Sequence, residues 1–461
     1  MRTAITVPIA ALVLAWLAVG HAAAESPAPA DSPPAVQAAA GPIPPPPPPA
    51  PPAPPASPAA QPVPAPPPHT ALPGFAWADP RYAEAEPGDG TMFRSDPAHT
   101  GCYLAQPIPL TEAPLWQVKT GDKVRSSAVG ASGMVFFGSD DDYLYAVELA
   151  TGSQVWKFKA KKDIAATPAV SEGAVYAASR DDHLYALSAG SGAPLWQFKA
   201  ADSINSSPTI AGDLLFFGCD DKHLYAVRAE SGKERWKFKA RKAIKGSPAV
   251  AEGMVFACDE AGDLYALDAE SGSEKWLFKT QKDVSGSPAV AAGIVYIGDD
   301  GGNLYAVDAA TGQQRGLFKA DGEIRAAPAI SGGLLYLATT KGRLYALDVQ
   351  AAKVQWDFQA GGPIESAPSV AGGMVYFGSN DDCLYALDAA TGQMQWKFKT
   401  SKDVRSSPAL VDGILVFGND AGEVYALYGP NVPAAPAAKT PVAPAATAPS
   451  ETKPKIPPPP R

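Results

Sequence analysis

Residues 156–195 read WKFKAKKDIAATPAVSEGAVYAASRDDHLYALSAGSGAPL, and the chain then returns to tryptophan at Trp196. Four short apolar runs lie in this stretch, and turn residues such as Glu172-Gly173 and Gly190-Ser191-Gly192 separate them. The first run alternates apolar and polar side chains, as a half-buried strand does. No segment between turn signals is long enough for a helix of period 3.6. The stretch therefore predicts four short β-strands and no helix.

The same pattern recurs every 40 residues without insertion. Tryptophan marks the step at Trp116, Trp156, Trp196, Trp236, Trp276, Trp356 and Trp396, and Gly316 stands at the remaining position. Tyrosine keeps the same step at Tyr145, Tyr185, Tyr225, Tyr265, Tyr305, Tyr345, Tyr385 and Tyr425. Forty residues and four strands per repeat are typical of a β-propeller blade, with an open solenoid as the alternative.

The phase of the series favours a closed ring. It begins with a lone tryptophan strand, Leu115–Val118, and it ends with three strands that no tryptophan strand follows. One strand and three strands complete a blade, which removes the open sheet edges. We therefore predict an all-β fold, an eight-bladed β-propeller of four-stranded antiparallel blades over 115–428, in which the Trp116 strand joins the last blade. The tryptophans are predicted to be structural and to pack between blades.

The flanking sequences are of a different kind. Residues 1–24 resemble a signal peptide, with Arg2, an apolar run and a small-residue cleavage site after Ala24, although an uncleaved membrane anchor is the alternative. Residues 25–73 hold 22 of the 49 prolines. We interpret this linker and the tail 429–461 as disordered Pro/Ala-rich arms. The lead-in segment 74–114 precedes the ring.

The repeats also carry a family resemblance. The strings Ala189–Trp196, Ala229–Trp236, Ala269–Trp276 and Ala389–Trp396 follow the pattern Ala-x-Thr/Ser-Gly-x-x-x-Trp, and each neighbouring Leu-Tyr-Ala-Leu/Val string completes it. They resemble the PQQ-like, or quinoprotein-like, propeller repeat. Residues 92–101 are similar to the lead-in found before the first blade of such proteins. The resemblance implies the propeller fold and two kinds of function, quinone-dependent dehydrogenase and non-enzymatic assembly protein of the BamB kind.

The resemblance to the dehydrogenases lacks its main features. Those enzymes carry a vicinal disulfide, a tryptophan beneath the quinone and carboxylate or amide ligands for calcium. Here Cys102, Cys219, Cys258 and Cys383 are far apart in sequence, and the repeats have no insertions. We therefore expect neither PQQ nor Ca²⁺ as cofactor and no catalytic residue, and the non-enzymatic BamB-like branch is favoured. No lipid-anchor cysteine follows the apolar run, and the arms are long, which both depart from BamB.

Charged loops make one face of the predicted ring the candidate binding face. The loops before the Leu-Tyr-Ala-Leu strings are acidic, and the loops after the tryptophan strands are basic. Mutual neutralisation by exposed ion pairs is the simpler interpretation. The residue before each inner strand would line the channel mouth and suit an acidic or polar extended peptide. These residues are Arg125, Ala165, Asn205, Lys245, Ser285, Arg325, Glu365 and Arg405.

Smaller signals leave alternatives open. The copy over 316–355 lacks its tryptophan and has a basic loop with Lys341 and Arg343, so it is either a decayed copy or a blade that docks a partner with Arg325. His183 and His223 are expected on the surface rather than at a metal. Residues 299–303 resemble a cation loop, but their counterparts are plain Asp-rich turns. A disulfide between Cys219 and Cys258 is disfavoured, because packed sheets lie about 10 Å apart.

The sequence predicts an exported, non-enzymatic scaffold that binds envelope proteins or extended peptides, possibly in outer-membrane protein assembly. A PQQ-dependent dehydrogenase is the first alternative, and a carbohydrate- or cell-wall-binding module is the second. The formal net charge of −9 and the absence of a basic stripe disfavour nucleic acid as a partner. We expect a monomer in the periplasm or cell envelope, in contact with a membrane only through partners or an uncleaved signal.

Overall fold

The computed structural model describes residues 92–103, 105–108 and 113–428. The predicted signal peptide, both Pro/Ala-rich arms and residues 74–91 of the lead-in segment lie outside these residues. The described residues contain 32 β-strands, which form eight four-stranded sheets. No helix occurs among them, so none could span a membrane.

The strands repeat in length from blade to blade. The inner strands are β2 (Val129–Ala131), β6 (Ala169–Ser171), β10 (Thr209–Ala211), β14 (Ala249–Ala251), β18 (Ala289–Ala291), β22 (Ala329–Ser331), β26 (Ser369–Ala371) and β30 (Ala409–Val411). The second strands are β3 (Met134–Gly138), β7 (Ala174–Ala178), β11 (Leu214–Gly218), β15 (Met254–Cys258), β19 (Ile294–Gly298), β23 (Leu334–Ala338), β27 (Met374–Ser379) and β31 (Ile414–Gly418).

The third strands carry the repeated tyrosine, and their four middle residues are buried in every blade. They are β4 (Tyr143–Glu148), β8 (His183–Ser188), β12 (His223–Arg228), β16 (Asp263–Asp268), β20 (Asn303–Asp308), β24 (Arg343–Asp348), β28 (Cys383–Asp388) and β32 (Glu423–Tyr428). The outer strands are β1 (Trp116–Lys119), β5 (Gln154–Lys159), β9 (Pro194–Lys199), β13 (Glu234–Lys239), β17 (Glu274–Lys279), β21 (Gln314–Lys319), β25 (Lys353–Gln359) and β29 (Met394–Lys399). Blade 1 is β2–β5, and the others follow in order to blade 7, β26–β29.

Blade 8 confirms the predicted closure of the ring. Its strand order is β1-β32-β31-β30, so that the first strand of the chain becomes the outer strand of the last sheet. β1 pairs antiparallel with β32, with Trp116 opposite Ala426 and Lys119 opposite Glu423. The eight-bladed, four-stranded antiparallel propeller is therefore the observed fold, and pairing of β1 with β32 leaves no blade incomplete.

The core of the molecule lies between neighbouring blades, where indoles pack on glycines. The indole Nε1 of Trp156 donates to the carbonyl of Ala189 in the next blade at 2.8 Å. A Cβ atom added at Gly192, whose φ is 69°, would lie 2.7 Å from carbons of the same indole. Glycine is therefore required there both for its backbone conformation and for the room it leaves.

The same pair recurs around the ring 36 residues apart. The pairs are Trp116–Gly152, Trp156–Gly192, Trp196–Gly232, Trp236–Gly272, Trp276–Gly312 and Trp356–Gly392. In blade 5 the tryptophan is replaced by Gly316, and the residue 36 positions later is Ala352 instead of glycine. The two departures belong together, because a position that meets no indole has room for a methyl group.

A ring of hydroxyl groups also joins the blades near the channel. The backbone N–H of Ser127 donates to Thr167 Oγ1 at 3.1 Å, and the N–H of Thr167 donates to Ser207 Oγ at 3.0 Å. The series continues through Ser247 and Ser287. It resumes at Ala367, whose N–H donates to Ser407 Oγ, and it closes where the N–H of Ser407 donates to Ser127 Oγ at 3.1 Å. Ala327 and Ala367 interrupt it, because alanine has no hydroxyl to accept the bond.

Candidate functional site

The axial channel of the ring has two mouths of different chemistry. At the charged mouth, the loops before the inner strands meet the loops between the second and third strands, as where the N–H of Gly121 donates to Asp141 Oδ2 at 2.7 Å. At the opposite mouth, which we call the capped mouth, lie the inner hairpin turns such as Glu172-Gly173. The described chain begins at Met92 and ends at Tyr428, and both residues lie on the capped side.

The lead-in segment crosses the capped mouth as a series of turns, in which Arg94, Ser95 and His99 have positive φ. Its carbonyl groups accept hydrogen bonds from the backbone N–H of the middle residue of four successive inner strands, in blades 4 to 7. The pairs are Pro97 O with Val250 N (2.7 Å), Ala98 O with Val290 N (2.8 Å), Thr100 O with Ile330 N (2.9 Å) and Gly101 O with Val370 N (2.9 Å). The lead-in segment is therefore bound by half of the ring and covers the channel there.

Two of its side chains are buried inside the channel. Arg94 donates to the carbonyl of Pro328 at 2.7 Å and to that of Pro368, and its Nε has no hydrogen-bond partner among the described residues. Burial lowers the pKa of Arg94 to about 10. His99 Nδ1 lies 3.2 Å from the carbonyl of Pro288, and Nε2 lies 3.1 Å from Thr209 Oγ1. Burial, with the nearby charge of Arg94, lowers the pKa of His99 to about 3.

This position of the lead-in segment was not predicted from the sequence. Residues 92–101 are similar to the lead-in of related repeats, but that similarity carries no position for their side chains. The feature visible in the sequence was that Arg94 and His99 stand in a segment without strand periodicity. The location of the lead-in segment depends on backbone N–H groups of the inner strands, which point away from the inner hairpins. These groups come together only in the folded ring.

The predicted site residues lie at the charged mouth, and most of them are engaged within the chain. Arg125 forms ion pairs with Asp140 at 3.5 Å and with Asp420 at 4.0 Å. Lys245 pairs with Glu260 at 2.6 Å, and Arg325 pairs with Glu323 at 2.7 Å. Arg405 pairs with Asp403 at 3.2 Å, with Glu365 at 3.5 Å and with Asp420 at 3.7 Å. Asn205 donates to Asp220 at 2.9 Å and accepts from Arg180 at 2.8 Å. Each base of the predicted site therefore has an acidic neighbour.

Taken together, the charged mouth contains more acids than bases. Three positions per blade line it, those of Lys123, Arg125 and Asp140 and their equivalents at steps of 40, and they comprise ten acids and six bases. Burial raises the pKa of Asp140, of Asp220 and of Asp300, each against the opposing effect of a partner side chain. The balance favours a polar or basic ligand over the acidic peptide that the bases alone suggest.

Much of the remaining acidity serves the fold. The repeated tyrosines donate their hydroxyl groups to loop carboxylates, as Tyr145 does to Asp141 at 2.6 Å and Tyr225 to Asp221 at 2.6 Å. The same carboxylates accept backbone N–H groups of the loop before the inner strand, as Asp181 does from Lys161 at 2.9 Å. Donors that belong to the fold, tyrosine hydroxyls and backbone N–H groups, therefore engage part of the acidity of these loops.

The three bases of the irregular copy over 316–355 differ in their ion-pair partners. Arg343 pairs with Asp357 at 2.6 Å and with Asp321 at 3.2 Å, and its guanidinium lies 5.9 Å from the centre of the Tyr345 ring. Arg325 pairs with Glu323 instead. Lys341 is exposed, and the described part of the chain offers it no ion-pair partner within 4.0 Å.

The groups that could take part in a quinone and calcium site are the tryptophans, the cysteines and the carboxylates. All seven ring tryptophans donate their indole N–H to backbone carbonyls, so none of these N–H groups is turned into the channel. The four cysteines are buried and free, and no pair of them is adjacent. Over 92–103, 105–108 and 113–428, no group of three or more His, Cys, Asp or Glu side chains is placed to hold a metal ion.

Comparison with known proteins agrees with the ring geometry. A family model described as outer membrane protein assembly factor BamB matches residues 108–219, 184–320 and 317–431, which together cover most of the chain. The chain belongs to this BamB family of PQQ-like propellers. Comparison with curated protein sequences gives no match.

Solved structures similar to this BamB-family chain share its fold. BamB from Moraxella catarrhalis is 16% identical with a TM-score of 0.60, covering 68% of this chain and 99% of that one. A europium-containing methanol dehydrogenase is 15% identical with a TM-score of 0.64, covering 73% and 90%. The quinohemoprotein alcohol dehydrogenase from Comamonas testosteroni is 15% identical with a TM-score of 0.60, covering 73% and 80%. At such identity the likeness shows the fold alone.

Proposed function

We propose that the chain is a non-enzymatic, exported scaffold that binds protein or peptide partners at the cell envelope, in the assembly of outer-membrane proteins. The BamB family match carries this proposal. The regular ring supports it, because propellers bind partners at the mouths of their channel and this ring has two such mouths. The signal-like N-terminus supports export to the periplasm or envelope.

The charged mouth is the proposed partner-binding surface. Neither end of the described chain lies there, since Met92 and Tyr428 are both on the capped side. Lys245 and Arg325 are exposed at the rim, and ten acids surround the six bases. A partner segment with polar and basic side chains can exchange these exposed pairs at small cost, because surface ion pairs contribute only about 0–1 kcal/mol each. Function as a monomer and without PQQ or Ca²⁺ is part of the proposal.

A photocrosslinking experiment tests the surface. A photoreactive residue is placed at Lys245 or Arg325 in the full chain, and a matched control carries it at the exposed Lys237 of outer strand β13. After illumination in envelope extracts, crosslinked partners are identified by mass spectrometry. We expect the same partner from both mouth positions and not from Lys237. Equal labelling at all three positions, or none at the mouth, would contradict the proposal.

Quinone-dependent dehydrogenase remains the competing function, because the similar structures include a quinohemoprotein alcohol dehydrogenase and a methanol dehydrogenase. Dye-linked oxidation of alcohols and sugars, measured after addition of PQQ and Ca²⁺, separates the two proposals. We expect no turnover above that of the denatured chain. Turnover that saturates with PQQ would replace the scaffold proposal. Retention of the chain on peptidoglycan would instead favour the wall-binding alternative.

A further inference from the structure

A cleft of about 420 Å³ opens at the capped mouth beside the start of the lead-in segment. Met92, Ala131, Ser132, the turn of blade 2 from Val170 to Gly173, Ala189 and Ile210 line it. Its volume is in the range of ligand pockets, about 300–1,000 Å³. The cleft faces blades 1 to 3, whereas the described lead-in segment pairs with blades 4 to 7.

The backbone of the cleft repeats the groups that bind the lead-in segment. Val170 and Ile210 are the middle residues of their inner strands, as Val250 and Val290 are of theirs. They lie opposite Val175 and Leu215, one residue pair from a tight hairpin turn, at the position whose N–H points away from the hairpin. In blades 4 to 7 this N–H donates to the lead-in segment. Within the described residues, the N–H groups of Val170 and Ile210 have no such acceptor.

The side chains of the cleft select the kind of strand that fits. Ala131, Ser132, Ser171, Gly173 and Ala189 are small, so a backbone can approach closely. The inner hairpin turns of this face carry four acids, Glu172, Asp213, Glu252 and Asp412, and no base. Only Asp213 of these has an ion-pair partner among the described residues, Arg228.

We propose that this cleft binds an extended segment of a partner protein, which accepts hydrogen bonds from Val170 N and Ile210 N and places a basic side chain beside Glu172. Each inner strand would donate one backbone hydrogen bond to the segment, as in blades 4 to 7, so the backbone supplies affinity and the side-chain pocket supplies specificity. Charge argues for a partner over the chain's own upstream residues, because residues 74–91 carry four acids and one base, Arg81. The site lies on the opposite face from the charged mouth and goes beyond the function proposed above.

A labelled peptide tests the cleft in the full chain. The probe is a fluorescein-labelled copy of Ser95–Cys102, the bound part of the lead-in segment, with lysine in place of Asp96 and serine in place of Cys102. Fluorescence anisotropy gives its Kd. Glu172→Lys should weaken binding more than about tenfold and should favour a peptide with glutamate at the lysine position. Asp412→Lys, on the same face but outside the cleft, is the matched control and should leave the Kd unchanged.

A second pair of variants separates the backbone contact from the side chain. Val170→Pro removes the N–H, and Val170→Ala keeps it while shortening the side chain. We expect Val170→Pro to weaken binding about fivefold relative to Val170→Ala, the effect of one lost hydrogen bond. Thermal melting checks that each variant is folded.

Three outcomes would overturn the proposal. The first is no binding of the probe to the wild-type chain. The second is binding that Glu172→Lys and Asp412→Lys change equally. The third is binding that appears only after residues 25–91 are deleted, because it would show that the chain's own upstream segment occupies the cleft. None of these results depends on a partner at the charged mouth, so the scaffold proposal is tested separately.

Discussion

The indole Nε1 of Trp396 donates a hydrogen bond to the carbonyl oxygen of Ile108 at 2.8 Å. In the other six blades with tryptophan, the acceptor lies 33 residues later in the next blade. Trp396 instead uses the lead-in segment, and the N–H of Ile108 donates to Tyr376 at 2.7 Å. The junction between blades 7 and 8 is therefore completed by a segment that precedes the ring in sequence.

Replacement of Trp396 by phenylalanine should release this segment. The variant loses a buried hydrogen bond, which costs about 1 kcal/mol, and frees the carbonyl of Ile108. We expect faster amide hydrogen exchange at Ile108 as well as lower stability to denaturant. The control Trp156→Phe loses the equivalent bond to Ala189 and should lower stability similarly without changing exchange at Ile108. Equal exchange at Ile108 in the two variants would contradict this role.

Glycines that face an indole should tolerate a side chain less well than glycines in open turns. Gly192 and Gly173 both have positive φ, 69° and 77°, but a Cβ at Gly192 meets Trp156, whereas one at Gly173 meets nothing within 4 Å. Each alanine variant bears the backbone strain of about 1–2 kcal/mol. We expect Gly192→Ala to lose at least about 1 kcal/mol more free energy of unfolding than Gly173→Ala. Equal losses of unfolding free energy in chemical denaturation would show that the indole moves aside for the methyl group.

The irregular blade 5 offers a restoration experiment. Gly316→Trp should destabilise the chain when Ala352 is retained, because a methyl group stands where the other blades leave room for the indole. The double variant Gly316→Trp with Ala352→Gly should recover stability and exceed that of the single variant by about 1–3 kcal/mol, the value of burying the aromatic ring. Additive effects in the double-mutant cycle would refute the coupling of the two positions.

The interrupted hydroxyl ring predicts a stabilising substitution. Ala327→Ser supplies an acceptor for the N–H of Ser287 and should raise the free energy of unfolding by about 0.5–1.5 kcal/mol. Ser247→Ala is the reverse experiment, since it removes the acceptor of the Ser207 N–H at 2.9 Å, and it should lower stability by a similar amount. A destabilising Ala327→Ser would mean that the neighbouring backbone leaves no space for the hydroxyl.

The buried His99 should make stability fall in acid. Its pKa is about 3 in the folded chain and near 6.5 when unfolded, so the unfolded chain binds more protons between these values. Stability from the neutral imidazole is complete above about pH 6.5 and decreases as the pH falls toward 3, by up to about 1.4 kcal/mol per pH unit. Denaturation at pH 7.5 and 5.0 should show a smaller pH effect in His99→Gln than in the wild-type chain. If the stability difference between pH 7.5 and pH 5.0 is the same in His99→Gln as in the wild-type chain, His99 is not the cause.

The architecture could be predicted because each repeat carries the pattern of a four-stranded blade on its own. The 40-residue step, the strand-length apolar runs and the tight-turn residues give the blade, and the lone Trp116 strand gives the closure with β32. These are local signals, repeated in register, and eight copies specify one geometry. The ion pairs of the charged mouth could not be predicted from the same repeats, because loops that are similar in sequence differ in which neighbouring side chain they contact.

The 40-residue repeat and its phase are sufficient to predict the number of blades, their strand order and the pairing of the chain's first strand with its last sheet. What occupies the channel depends instead on contacts that form in the closed ring. The lead-in segment has no periodicity of its own, and its position is set by inner-strand N–H groups that converge when the ring closes. Closure of the ring likewise brings Asp420 within 4.0 Å of Arg125, almost 300 residues away in sequence. The ion pairs of the charged mouth therefore depend on closure.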